Sequence, residues 1–80
     1  MIKHTDINAI KKWQAVPFSQ LGQLLQSEGF RFAKQFSTDE IRIFKSDDNK
    51  YTIVFNGQLG KVYEAGNMRQ YIHMFSVVKG

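Results

Sequence analysis

Eighty residues without a cysteine, carrying a net charge of +4, leave room for one small domain and for neither a disulfide framework nor thiolate chemistry. Hydrophobic residues make up 42% of the chain, with seven Phe, three Tyr and one Trp, a composition too apolar and aromatic for intrinsic disorder. No apolar run approaches the ~18 residues of a membrane span, and the polar start Met1-Ile2-Lys3-His4-Thr5-Asp6 does not read as a signal peptide, so the expected setting is the cytoplasm, away from membranes.

Thr5 or Asp6 can cap a first helix over 7–15, with Ile7, Ile10 and Trp13 as its apolar members and Lys11 and Lys12 turned away from Ile10. Pro17 disfavours a helical Val16 and suits the first turn of a second helix, expected over 17–28. There Phe18, Leu21, Leu24 and Leu25 share one face, and Gly29 stands where a left-handed C-terminal residue belongs.

Residues 30–36 alternate as a strand, with Phe30, Phe32 and Phe36 on one side and Lys34 interrupting the pattern. Ser37 and Glu40 match a helix capping box, but Ile41-Arg42-Ile43-Phe44 is β-branched at alternate positions and soon meets a turn, so a strand is expected. Asp47-Asp48-Asn49 turns the chain into a strand carrying Tyr51, Ile53 and Phe55, and Asn56-Gly57 is a hairpin signal. A last strand is expected over 61–65, after a loop that runs on to Gly60. Asn67 then caps a final helix to about Val78, with Met68, Tyr71, Ile72, Phe75 and Val78 as its apolar stripe.

The fold class expected from this order is α+β. Two N-terminal helices, a three- or four-stranded antiparallel meander and a C-terminal helix form one domain over 1–80, and the helices pack on one face of the sheet. Residues 1–16 are a helical extension of an α-β-β-β-α core over 17–80. The other face would carry some of Arg31, Gln35, Arg42, Phe44, Thr52 and Val54.

From Phe18 onward the chain resembles the HicA family of small toxin ribonucleases. Leu21, Leu24, Leu25, Gly29 and Phe30 are similar to that family's leucine-bearing helix ending in glycine and an aromatic, and 66–72 looks like the segment that opens its final helix. The resemblance implies a fold related to double-stranded-RNA-binding domains. The family's catalytic Gly-Ser-His is matched only by Ser37 within Phe36-Ser37-Thr38-Asp39, so the resemblance implies an RNA-binding shape without the nuclease.

No catalytic set is evident. His4 lies in the terminal segment, and His73 shares a helix face with Arg69, where a proton-transfer group beside a phosphate clamp competes with a plain solvated residue. Asp47-Asp48-Asn49 lacks the spacing of a calcium loop, and the Gly57–Gly60 stretch is followed by a strand rather than the helix a phosphate cradle needs. No metal or cofactor is expected, and ribonuclease activity is not.

Binding is the remaining chemistry. Arg31, Arg42 and Phe44 on an open sheet face can neutralise phosphates and stack bases, with Lys11, Lys12, Arg69 and His73 as further contacts. A protein or a second copy of the chain in a homodimer can cover the same residues, since arginine and aromatic side chains are enriched in binding hot spots. Trp13 either closes the core edge or anchors a contact made by the Lys11-Lys12 helix. The leading expectation is a small basic, non-catalytic module recognising RNA or another nucleic acid. The alternative is a small protein-binding inhibitor or adaptor of the phage or mobile-element type, such as an anti-defence protein, gripping an acidic protein or a nucleoprotein surface.

Overall fold

The computed structural model describes residues 7–64 and 67–80, and the side chains of all of these except 67–71. The elements are α1 (Ile7–Lys11), α2 (Phe18–Ser27), β1 (Phe30–Phe32), a 3-10 turn (Lys34–Phe36), β2 (Ile41–Ser46), β3 (Tyr51–Asn56), β4 (Leu59–Glu64) and β5 (Asn67–Ser76). The strands form one antiparallel sheet in chain order, β1-β2-β3-β4-β5, with β1 and β5 at its edges. Among the described residues, no helix is long and apolar enough to cross a membrane.

The α+β meander is as expected in kind, and the C-terminal helix is not. Residues 67–76 form β5 instead, so the sheet has five strands and the described residues two α-helices. The apolar residues of this stretch satisfy a helical spacing, but His73, Phe75 and Val77 also alternate inward, and the outer edge of β4 needs a partner. Two register shifts, at Val62/Tyr63 and Tyr63/Glu64, let β5 pair with β4 despite the extra residues.

α1 is also shorter than expected. It ends at Lys11, where Lys12 and Trp13 donate to the Ala9 and Ile10 carbonyls at 3.1 and 3.0 Å, closing tighter turns. These turns carry Trp13 inward, 3% exposed, against the edges of the Phe30 and Phe75 rings. Trp13 is therefore a core residue. The chain then runs beside its own C-terminus: Val78 donates to the Val16 carbonyl, and Phe18 donates to that of Val78.

α2 buries Leu21 and Leu25 and ends at Gly29, whose φ of 83° is the left-handed conformation foreseen for it. Ser37 caps no helix. Its hydroxyl donates to the Ala33 carbonyl and accepts from the Ile43 amide, tying the turn after β1 to β2. Ser46 organises the next turn: its buried hydroxyl donates to Asp48 Oδ1 at 2.7 Å and accepts from the Tyr51 amide at 2.9 Å, while Asn49 adopts a φ of 59°.

Gly57 and Gln58 form a two-residue turn, since Asn56 pairs with Leu59, and β4 starts two residues before the expected Lys61. Gly60 is a strand residue for a steric reason. A Cβ there would sit 2.7 Å from Phe75 Cζ and 2.9 Å from Phe55 Cε1, so the two rings pack directly on its backbone. The core is completed by Ile10, Ile53, Val62 and Val77.

Candidate functional site

Antiparallel register decides which side chains share a face, because directly opposed residues point the same way. Phe44 pairs with Ile53 and Arg42 with Phe55, both core positions, so Arg42 and Phe44 lie on the helix side of the sheet. The Phe44 ring meets the Phe55 ring edge-on at 5.9 Å, and the Arg42 guanidinium stands 4.9 Å over the Phe18 ring. The expectation that this pair lies on the uncovered face is thus corrected. In Ile41-Arg42-Ile43-Phe44 both phases of the alternation hold apolar residues, and only the register separates them.

The face away from the helices is built in rows that follow the same register. One row runs Arg31, Lys45, Thr52 and Tyr63; the next runs Ile43, Val54, Lys61 and Met74; a third runs Ile41, Asn56, Leu59 and Ser76. Phe36 joins at the β2 edge, because the 3-10 turn breaks the β1 alternation and brings its ring under Lys45, whose Nζ stands 5.0 Å from the centroid. Lys45 and Lys61 are two strands and one row apart, a separation on the order of 12 Å from standard sheet spacings. Thr52 is 6% exposed although no described helix covers it, since Lys45 and Tyr63 stand on either side.

The charge on this face is one-sided. Arg31, Lys45 and Lys61 lie on it, and none of its described strand positions carries a carboxylate. Asp47, in the turn after β2, stands 3.9 Å from Arg31 in an exposed pair of the kind that contributes little.

The other residues singled out from the sequence are dispersed. Lys11 and Lys12 are exposed at the end of α1, on the side of the sheet that holds Ile10 and Trp13. His73 belongs to β5 rather than to a helix. It pairs with Val62 on the core side and stacks on Phe75, 6.2 Å between centroids and 10° between planes. Its Nε2 is buried and has no hydrogen-bond partner among the described residues. The Arg69 side chain and residues 1–6, with His4 and the Thr5/Asp6 cap, lie outside what the structure describes, as do Ala65 and Gly66.

Of the expected contacts whose side chains are described, Arg31 alone is placed on the uncovered face. Lys45, Lys61, Phe36 and Tyr63 were not singled out from the sequence. A signal for Lys45 existed, since it continues the alternation Arg31 opens across the hairpin, but using it requires the register. Among the described residues, no three His, Asp or Glu side chains gather in a way that could hold a metal ion. The Asp47-Asp48-Asn49 stretch is a turn in which the Asp48 carboxylate accepts from Ser46 and from the Lys50 amide.

No family model, curated protein or solved structure matches the chain.

Proposed function

We propose that this protein is a non-catalytic binding module for single-stranded nucleic acid, with RNA as the favoured form, and that it binds through the uncovered face of its sheet. The observation that carries the reading is the coincidence of three cations, Arg31, Lys45 and Lys61, with the rings of Phe36 and Tyr63 on one face of the sheet. Cations neutralise phosphates and rings stack on bases, and a sheet face presents both without a deep pocket. An exposed, twisted sheet suits a flexible single strand, whose unstacked bases are free to lie on it.

The non-catalytic part of the proposal rests on His73. Its ring is committed to the core side, between Phe75 and the strand partner Val62, rather than to the basic face. A general base acts only with both partners of the proton transfer within hydrogen-bond reach, and stacking on Phe75 directs the His73 ring away from the basic face.

The test is an amide chemical-shift titration with a short uridine-rich RNA. The reading expects the largest shifts at Lys45, Thr52, Lys61 and Tyr63, with α1 and α2 unmoved. Shifts confined to Lys11, Lys12 and the helices would overturn it.

A further inference from the structure

A groove of about 490 Å³ lies between α2 and the edge strand β1. Gly22, Leu25 and Gln26 form its helical wall and Phe30, Phe32 and Phe44 its floor, with Arg31 and Asp47 at the rim. Phe32 rests on Phe44 with centroids 5.3 Å apart but stays 49% exposed, a large apolar side chain left facing water.

Among the described residues, the backbone beside this groove is unpaired in a definite pattern. Asp47 donates to the Gly29 carbonyl and Ala33 donates to the Ile43 carbonyl, so positions 29, 31 and 33 turn their polar groups toward β2. By antiparallel alternation, the amide and carbonyl groups of Phe30 and Phe32 then point outward from the sheet edge. An edge of this kind is a template for another strand.

Gly22 supplies an independent sign. It sits inside α2, where glycine weakens a helix by roughly what alanine would restore. Its φ is not left-handed, and a Cβ built there meets nothing within 4 Å, so neither backbone conformation nor packing within the chain calls for glycine. What its missing side chain does is keep the wall of the groove open.

We propose that the β1 edge and this groove form a docking site for an extended segment of a partner protein that alternates apolar and acidic side chains. The segment adds a strand to β1 through the outward groups of Phe30 and Phe32, the β-augmentation mode of peptide recognition. Its apolar side chains, on the face shared with Phe32, enter the groove. Its intervening side chains fall on the opposite face beside Arg31, with Lys45 one strand further in, and charge complementarity there selects carboxylates. A second copy fits poorly, because pairing β1 with itself about Arg31 would oppose two guanidinium groups. This inference does not rest on the nucleic-acid reading, although its charge selection uses Arg31 and Lys45, which that reading also engages.

The test uses a short fluorescent peptide alternating leucine with aspartate, a matched peptide alternating leucine with lysine, the intact protein and its Gly22→Leu variant. Gly22→Leu raises helix propensity and its Cβ meets nothing within 4 Å, so the longer side chain extends into the groove, and an unchanged urea midpoint checks that folding is retained. The expected result is saturable binding of the aspartate peptide, roughly tenfold weaker binding of the lysine peptide, and loss of binding in Gly22→Leu with RNA affinity unchanged. Bound peptide should also slow hydrogen exchange at the Phe30 and Phe32 amides. Absence of binding, equal binding of both peptides or unchanged binding in Gly22→Leu would overturn the proposal. So would a concentration-dependent dimer that Gly22→Leu dissolves, because the occupant would then be a second copy.

Discussion

Arg31 and Lys45 are direct cross-strand partners on the uncovered face, two like charges side by side at the edge of the sheet. Such a pair is unfavourable for folding, and the exposed 3.9 Å contact of Arg31 with Asp47 offsets little of it. A bound anion removes the conflict. Lys45→Glu should therefore separate stability from binding: the cross-strand pair becomes attractive, which offsets the lost contact with the Phe36 ring, and the fold is retained, while RNA affinity falls. Urea unfolding and fluorescence anisotropy on the same variant check the two halves. A variant that unfolds more easily and binds equally well would contradict both.

Gly60 and Gly22 should respond in opposite directions to the same change. Gly60→Ala places a Cβ 2.7 Å from Phe75 and 2.9 Å from Phe55, and should cost roughly 1–3 kcal/mol as overpacking. Gly22→Ala enters open space within a helix and should stabilise by about 0.5–1 kcal/mol. Paired denaturation midpoints give both signs.

The Ser46 hydroxyl is fully buried and braces the turn between β2 and β3, donating to Asp48 and accepting from the Tyr51 amide. Ser46→Ala leaves that amide without its acceptor, a loss of about 1–3 kcal/mol. The measurement is the urea midpoint, accompanied by faster hydrogen exchange at Tyr51.

His73 offers the reverse case. Its buried Nε2 lacks a partner among the described residues while its ring stacks on Phe75, so His73→Phe keeps the stacked shape and removes a desolvated polar atom. Stability should be unchanged or up to about 1 kcal/mol higher, and RNA affinity should not move. A large loss of binding in this variant would restore His73 to the functional surface.

These residues also mark how far the sequence could be read. Turn chemistry was legible: Gly29 takes the left-handed position closing α2, and Asn49 and Gly57 take positive φ in their hairpins. The leucine stripe of α2 was legible as well, because Leu21 and Leu25 at helical spacing have no strand alternative. β5 was not, since Tyr71, Ile72, Phe75 and Val78 fit the helical period while His73, Phe75 and Val77 fit the strand period. The five-stranded sheet settles that ambiguity through β4, whose free edge β5 fills.

The site was hidden for a related reason. Ile41 and Ile43 look like the buried phase of β2, yet the register with β3 buries the Phe44 phase and turns Ile43 and Lys45 outward. One residue of register exchanges the two faces. Arg31 could be found from alternation in its own strand, whereas Lys45, Lys61 and Tyr63 become neighbours only after β2, β3 and β4 are aligned.

The most direct test of the nucleic-acid reading is the salt dependence of affinity for a short uridine-rich single strand. Three cations engaging phosphates predict a log–log slope of about −2, falling toward about −1.4 in Lys45→Gln or Lys61→Gln as one contact is lost. An affinity indifferent to salt, or a slope unchanged in both variants, would contradict the assignment of binding to this face.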